Sequence, residues 1–119
     1  MNEITINGID YIKKSSILEQ SQTLDGLEYV MCRTYSAGVF AGYLENIEGQ
    51  KVVLVNARRI WKWAGASSLS QLATDGTSSP NDCKFPCEVS KITLLQAIEI
   101  IPITEKAKIS IQGVSEWKN

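Results

Sequence analysis

Hydrophobic residues alternate with polar ones along most of this chain, at the period of two that is typical of β-strands with one buried face. The first such stretch, EITINGIDYIKK at residues 3–14, places isoleucine at every second position before the dipeptide Asn7-Gly8. Because Asn-Gly readily adopts the positive φ angles of a type I′ turn, this stretch predicts an N-terminal β-hairpin. Residues 15–26 then predict a short helical turn.

Three further alternating stretches predict a β-meander. The strands are expected over residues 28–35, 39–46 and 51–63, joined by turns centred on Gly38 and Gly49. In the first strand the alternation assigns one set of side chains to each face: Val30, Cys32 and Thr34 to one, and Tyr29, Met31, Arg33 and Tyr35 to the other. The third strand is unusually long.

The pattern changes after the third strand. Residues 64–76 predict a short helix with Ser68 as its N-cap, and residues 76–86 read as a loop that is long for a compact domain. Residues 87–103 are rich in isoleucine, valine and leucine and predict two more strands. Residues 104–113 predict a last short helix.

Together these elements predict an α+β fold: an antiparallel β-sheet, made of the N-terminal hairpin plus the meander, with two or three short helices on one face. A length of 119 residues suits a single domain over residues 1–119. No apolar run reaches the roughly 18 residues that span a bilayer. The polar, acidic start is unlike a secretory signal, so the expected compartment is the cytoplasm.

Charge and residue counts disfavour several classes of function. The net charge of −1 opposes non-specific binding to nucleic acid, and three cysteines without an export signal indicate reduced thiols. The absence of histidine removes the usual general base, the Ser-His and Cys-His dyads and the commonest metal ligand. We find no paired-acid motif and no phosphate-binding loop. The chain is therefore expected to be no enzyme and to need no cofactor.

The stretch NARRIWKWAGA, residues 56–66, holds two of the three arginines and two of the three tryptophans. On a regular strand Arg58 and Arg59 point to opposite faces, and Arg59 shares its face with Trp61 and Trp63. Arginine suits paired hydrogen bonds to phosphate or carboxylate, and tryptophan suits stacking on a flat base or anchoring a protein partner. The alternative is core packing with an arginine at its edge, and the sequence leaves both interpretations open.

Other stretches of the sequence supply further candidate ligand-binding residues. Antiparallel pairing would bring Arg33 and Tyr35 towards the same region, and Lys84 with Phe85 would supply a cation and a ring to a pocket rim. The candidate ligand-binding residues are Arg33, Tyr35, Arg58, Arg59, Trp61, Trp63, Lys84 and Phe85. Two cysteines four positions apart occur in some zinc sites, but a structural zinc needs four ligands, so no metal site is predicted.

Several motifs resemble those of one known family: RTYSAGV at 33–39, NARRIW at 56–61, GASSLSQLA at 65–73 and CKFPCEV at 83–89. From residue 29 to residue 117 the chain resembles an uncharacterised family of short proteins encoded by tailed phages and prophages. The resemblance implies a phage origin and expression in the bacterial host cytoplasm. Among small early phage proteins it points to an anti-defence role.

Three hypotheses about function follow. In the first, the chain is a binding protein, a homo-oligomer that sequesters a nucleotide-derived signal through an arginine and aromatic pocket. In the second, it is a protein-interaction module that inhibits or adapts a host or phage protein, which predicts an exposed apolar patch. In the third, it binds nucleic acid on a β-platform, against which the net charge speaks. A clustered, partly exposed arginine and aromatic pocket would favour the first hypothesis.

Overall fold

The computed structural model describes residues 26–118, so the predicted N-terminal hairpin and the helical turn up to Asp25 lie outside the described residues. The strands are β1 (Glu28–Thr34), β2 (Val39–Glu48), β3 (Lys51–Arg59), β4 (Val89–Leu94) and β5 (Ala97–Pro102). The helices are α1 (Leu69–Asp75) and α2 (Glu105–Gln112), with one turn of 3₁₀ helix at Pro80–Asp82. Within this range the fold is α+β, with most of its regular structure in the strands.

The strands form one antiparallel sheet in the order β4-β3-β2-β1-β5. The predicted meander of β1, β2 and β3 is confirmed, and Gly38 and Gly49 both have positive φ in the two connections. The alternation in β1 is also confirmed. Val30 and Cys32 enter one core, while Tyr29 and Met31 enter another.

The sheet is strongly curled. Only Leu95 and Gln96 separate β4 from β5, yet these strands lie at opposite edges of the sheet. Three Cα–Cα steps of about 3.8 Å span at most ~11 Å, so the two edges must approach each other there. The N–H of Ala97 donates to the carbonyl of Gln50 at 3.0 Å, which ties β5 to the β2–β3 turn. The result is a partly closed barrel.

The curl separates two hydrophobic cores. The inner core fills the curled sheet, and it joins side chains from both edge strands: Val30, Cys32, Phe40, Val52, Leu54, Ala57, Leu94 and Ala97. The outer core lies between the other face of the sheet and the two helices, and its larger members include Tyr29, Met31, Tyr43, Ile60, Leu72, Phe85 and Ile111. Both faces of the meander are therefore covered.

A β-bulge at Asn56 decides which face each later residue of β3 takes. Asn56 has a φ of 50°, and the β2–β3 register shifts between the pairs Tyr43–Val55 and Ala41–Arg58. Three steps along β3 there match two steps along β2, so the alternation is reset by one residue. Asparagine tolerates this left-handed conformation better than most residues do. Because of the bulge, the side chain of Ala57 points into the inner core.

Both helices begin and end as the sequence predicts. The Ser68 hydroxyl accepts the N–H of Gln71 at 3.1 Å, and the Thr104 hydroxyl accepts the N–H of Ala107 at 3.1 Å. Helices this short are unstable alone, so packing of their apolar faces on the outer core holds them in place. No helix within residues 26–118 is long and apolar enough to cross a membrane.

Gly76 allows the first testable prediction. It ends α1 with a φ of 79°, and a Cβ added there would collide with the side chain of Ser110 on α2. We expect Gly76→Ala to lower the free energy of unfolding by about 2–4 kcal/mol, from backbone strain and overpacking together. Urea denaturation measures the change. Gly38→Ala is the matched control, because its φ is also positive but a Cβ there meets open space. Equal losses in the two variants would contradict this account.

Candidate functional site

Arg58 is part of the fold and not part of a surface. Its side chain is 7% exposed, and it donates to the main-chain carbonyls of Phe85, Pro86 and Ile111 at 3.1, 3.1 and 3.0 Å. Burial lowers the pKa of Arg58, yet a guanidinium stays charged in proteins. The residue clamps the C-terminal end of α2 and the 85–86 segment onto β3. This removes Arg58 from the candidate ligand-binding residues.

Arg33 also has a partner. Its Nε donates to Oε1 of Glu99 at 2.9 Å, directly across the β1–β5 pair. Arg33 follows Cys32, which faces the inner core, so its side chain projects from the outer face of the sheet. Tyr35 is 78% exposed beyond the end of β1. The sequence predicted that Arg33 and Tyr35 approach the stretch at residues 56–66. In the structure Arg33 does not lie beside Arg59, because Arg59 lies on the inner face of the sheet against Phe40.

Arg59 faces away from Arg58, as the alternation predicts. Its Cζ lies 4.7 Å from the ring centroid of Phe40, which belongs to the inner core. The side chain is exposed. Within residues 26–118 its guanidinium has no carboxylate partner and no hydrogen bond. Arg59 is thus the one arginine of the described chain whose donors are free.

The expected grouping of Arg59, Trp61 and Trp63 on one strand face is wrong. β3 ends at Arg59, and the N–H groups of both Trp61 and Lys62 then donate to the carbonyl of Lys84, at 3.1 and 3.2 Å. Successive N–H groups of a regular strand point to opposite sides, so the alternation ends here. Trp61 is 63% exposed, whereas Trp63 packs against the outer core.

The ring beside Lys84 is Trp117 and not Phe85. Phe85 is fully buried in the outer core, so the prediction that it lies on a pocket rim is wrong. Lys84 is exposed, with its Nζ 5.4 Å from the Trp117 ring centroid. The N–H of Trp117 donates to the carbonyl of Phe85 at 2.9 Å, which holds the C-terminal segment against this strand. Sequence reasoning missed Trp117, whose only signal was an aromatic residue in a polar tail.

Two lysines face each other beside that ring. The N–H of Lys84 donates to the carbonyl of Lys62 at 2.8 Å, and the reverse bond is 3.2 Å. Directly opposed residues of an antiparallel bridge present their side chains on the same face, and like charges so placed repel. Among residues 26–118, neither lysine forms an ion pair with a carboxylate.

The opposed lysines border a surface pocket of about 510 Å³, which we call the dilysine pocket. Its lining residues are Lys62, Ala64, Asn81, Asp82, Cys83, Lys84 and Trp117. The predicted long loop supplies one wall. The buried Cys83 anchors that wall, because the N–H of Ala64 donates to its Sγ at 3.4 Å. Cys87 is exposed, and in the described chain no three Cys, Asp or Glu side chains are grouped to hold a metal.

The dilysine pocket combines three kinds of recognition. Two ammonium groups donate charge-assisted hydrogen bonds to an anion such as phosphate. The indole of Trp117 is a partly exposed aromatic surface of the kind on which planar rings stack, and the ammonium of Lys84 lies over this ring. Asn81 and Asp82 add polar groups that accept hydrogen bonds from hydroxyls. The arrangement therefore suits an anion that carries a flat ring and hydroxyl groups.

Comparison with known proteins assigns the chain a family but no activity. A family model described as a domain of unknown function (DUF6948) matches residues 27–111, which is most of the chain. The match includes Lys62 and Lys84 and stops before Trp117. No curated protein and no solved structure matches.

Proposed function

We propose that this chain, which belongs to the DUF6948 family of domains of unknown function, is a binding protein that holds a nucleotide-like anion in the dilysine pocket. The observation that carries the proposal is the bridge that sets Lys62 directly opposite Lys84 with no carboxylate partner in the described chain. This pairing costs stability, because the two ammonium groups repel. A phosphate between them would turn that repulsion into two attractive contacts.

The rest of the dilysine pocket supports a ligand larger than a bare anion. A volume of about 510 Å³ falls within the range of small-molecule sites, and Trp117 remains 37% exposed beside Lys84. A base stacked on Trp117 would leave its phosphate near the lysines and its sugar hydroxyls near Asp82. These features support a ligand of the nucleotide class, which is the class that the first hypothesis from the sequence named. The residues that hold it differ from most of the predicted ones.

In the phage setting that the resemblance implies, such binding would sequester a nucleotide-derived signal of host defence in the bacterial cytoplasm. Sequestration needs affinity and no bond cleavage. The lack of histidine in the chain and the single carboxylate in the pocket lining suit such a role. The chain would therefore act without catalysing a reaction, by lowering the free concentration of its ligand.

Calorimetric titration of the full chain tests this function. The panel contains AMP, cyclic di-AMP and cyclic ADP-ribose, with adenosine as the matched ligand that lacks phosphate. We expect at least one phosphate-bearing ligand to bind with a Kd on the order of 10 μM, and adenosine to bind at least tenfold more weakly. Raising the salt concentration should weaken the phosphate ligands alone, because ions screen exposed charges. Equal binding of AMP and adenosine, or no binding across the panel, would overturn the proposal.

A second prediction tests whether the ligand stacks on the indole ring of Trp117. Trp117→Leu removes the stacking surface and leaves both lysines, so we expect AMP affinity to fall about 5- to 150-fold while pyrophosphate affinity stays unchanged. Trp61→Leu is the matched control, since Trp61 is exposed nearby but does not line the dilysine pocket. Both variants are measured by the same calorimetric titration. A Trp117 variant with wild-type AMP affinity would refute the stacking role.

A second candidate function rests on the corner where the sheet closes. Leu95 and Tyr35 are strongly exposed there, and the N–H of Tyr35 donates to Gln96 at 2.9 Å. Ile47 and Ile98, also exposed, line a shallow depression that includes Gly49 of the β2–β3 turn. Exposed apolar groups in such proximity favour a protein contact, and self-association is the simplest form. Sedimentation of the wild-type chain against Ile98→Lys tests this: a dimer that becomes a monomer supports it, and a wild-type monomer opposes it.

A further inference from the structure

The described chain has a second pocket on the inner face of the curled sheet. It has a volume of about 220 Å³ and is bordered by Phe40, Ala57, Arg59, Pro86, Cys87, Val89 and Ile92. Apart from Arg59, these residues are uncharged, and most of them are apolar. We call it the Arg59 pocket. It shares no lining residue with the dilysine pocket, so the two are separate sites.

Arg59 supplies the charged group of the otherwise uncharged Arg59 pocket. The guanidinium carbon lies 4.7 Å from the centre of the Phe40 ring, and that ring is itself buried. A cation–π contact gives the N–H donors of the guanidinium no conventional hydrogen-bond acceptor. Within residues 26–118 no acceptor takes these donors. An exposed cation thus stands at the rim of an apolar hollow without an anion.

Size and charge together restrict the class of ligand. An apolar cavity of about 150 Å³ holds benzene, so a pocket of about 220 Å³ suits one ring with a short substituent. A single guanidinium matches a planar carboxylate through two parallel hydrogen bonds. A doubly charged phosphate would require further cations, and Arg59 is the single charged residue among those that line the pocket.

We propose that the Arg59 pocket is a second binding site, for a small carboxylic acid that bears one apolar ring. The ring enters between Ala57, Val89 and Ile92, and the carboxylate accepts hydrogen bonds from Arg59. Burial of the ring supplies most of the affinity. The arginine supplies selectivity for the acid over its neutral analogues. This site does not depend on the function proposed for the dilysine pocket.

The thiol of Cys87 provides a reporter inside the Arg59 pocket. Of the three cysteines, Cys32 and Cys83 are buried and Cys87 is exposed, so a neutral alkylating reagent modifies Cys87 first. A ligand in the pocket covers this thiol and slows its alkylation. Peptide mass spectrometry after timed treatment with iodoacetamide therefore measures occupancy of this one site in the full chain.

Phenylacetate and its neutral amide, phenylacetamide, are the paired probes. We expect phenylacetate to slow Cys87 alkylation at least fivefold, with half-protection at a concentration on the order of 1 mM. Phenylacetamide should require at least tenfold higher concentration, because it cannot form the charge-assisted pair. Arg59→Met keeps an unbranched apolar side chain and removes the guanidinium, so the two probes should then protect Cys87 equally. Lys84→Gln should leave the protection by phenylacetate unchanged.

Three results would overturn this proposal. The first is alkylation of Cys87 that neither probe slows, which would mean that the Arg59 pocket does not take such a ring. The second is equal protection by acid and amide in the wild-type chain, which would mean that Arg59 recognises no carboxylate. The third is unchanged selectivity in a folded Arg59→Met variant, with folding checked by circular dichroism. Loss of nucleotide binding in Lys84→Gln with intact phenylacetate protection would show that the two sites are distinct.

Discussion

Replacing Arg58 with methionine is expected to lower the free energy of unfolding by about 3–5 kcal/mol. The variant keeps the apolar stem of the side chain and removes the guanidinium that donates to Phe85, Pro86 and Ile111. Three carbonyls in and around the outer core would then lose a donor that water replaces poorly. The loss is a large part of the 5–15 kcal/mol that stabilises a typical domain. Urea denaturation followed by tryptophan fluorescence measures it.

The neighbouring arginine provides the control. Arg59→Met changes the same residue type one position further on, but Arg59 is exposed and has no hydrogen-bond partner in the described chain, so we expect a change below about 1 kcal/mol. Arg58→Lys should give an intermediate loss, because an ammonium keeps the charge without the planar fork that reaches three carbonyls. Equal losses in Arg58→Met and Arg59→Met would show that the buried clamp contributes little.

The second large effect concerns the dilysine pocket, and it has opposite signs for binding and for stability. We expect Lys62→Glu or Lys84→Glu to weaken AMP binding at least a hundredfold, because a contact that attracts phosphate becomes one that repels it. Either change also converts two opposed like charges into an opposite pair. For Lys62→Glu the free energy of unfolding should therefore rise slightly, by less than about 1 kcal/mol because both side chains are exposed to solvent. Lys84→Glu should gain less, because it also loses the contact of its ammonium with the Trp117 ring. Calorimetric titration and urea denaturation give the two values.

The double variant completes the test. With Lys62→Glu and Lys84→Glu together, two like charges face each other again and the contact of Lys84 with the Trp117 ring is lost, so the stability gain of Lys62→Glu should disappear while binding stays lost. Lys91→Gln controls for general charge, since Lys91 is an exposed lysine that pairs with Glu45 on a distant part of the sheet. Its affinity for AMP should equal that of the wild type. Single reversals that bind AMP normally would exclude the dilysine pocket as the site.

The predicted elements that the structure confirms all depend on short-range signals. Side-chain alternation identified the strands, the hydroxyls of Ser68 and Thr104 marked both helix starts, and glycines marked the turns. Each of these signals acts within a few residues and depends little on the rest of the fold. The end of β3 was predicted four residues too late. After Arg59 the chain pairs instead with Lys84, which belongs to a segment distant in the sequence.

The candidate site was only partly predictable, for a related reason. That Arg58 and Arg59 point to opposite faces follows from the geometry of any extended chain. Which of them enters the outer core depends on the bulge at Asn56, and a bulge is defined by pairing with another strand. Trp117 could not be connected to Lys84, because 33 positions separate them in the chain. Their contact exists only through the Phe85–Glu116 bridge.

The sequence by itself determined the identity of the described elements, the alternation within each strand and the presence of unusual cations and rings near the end of β3. Only the tertiary structure decided which of these cations are free. Arg58 is bound by carbonyls from two distant segments, Arg33 by Glu99 across the sheet, and Arg59, Lys62 and Lys84 by no carboxylate in the described chain. The reason is physical: periodicity is a property of neighbouring residues, whereas a charge finds or lacks its partner when the chain closes on itself.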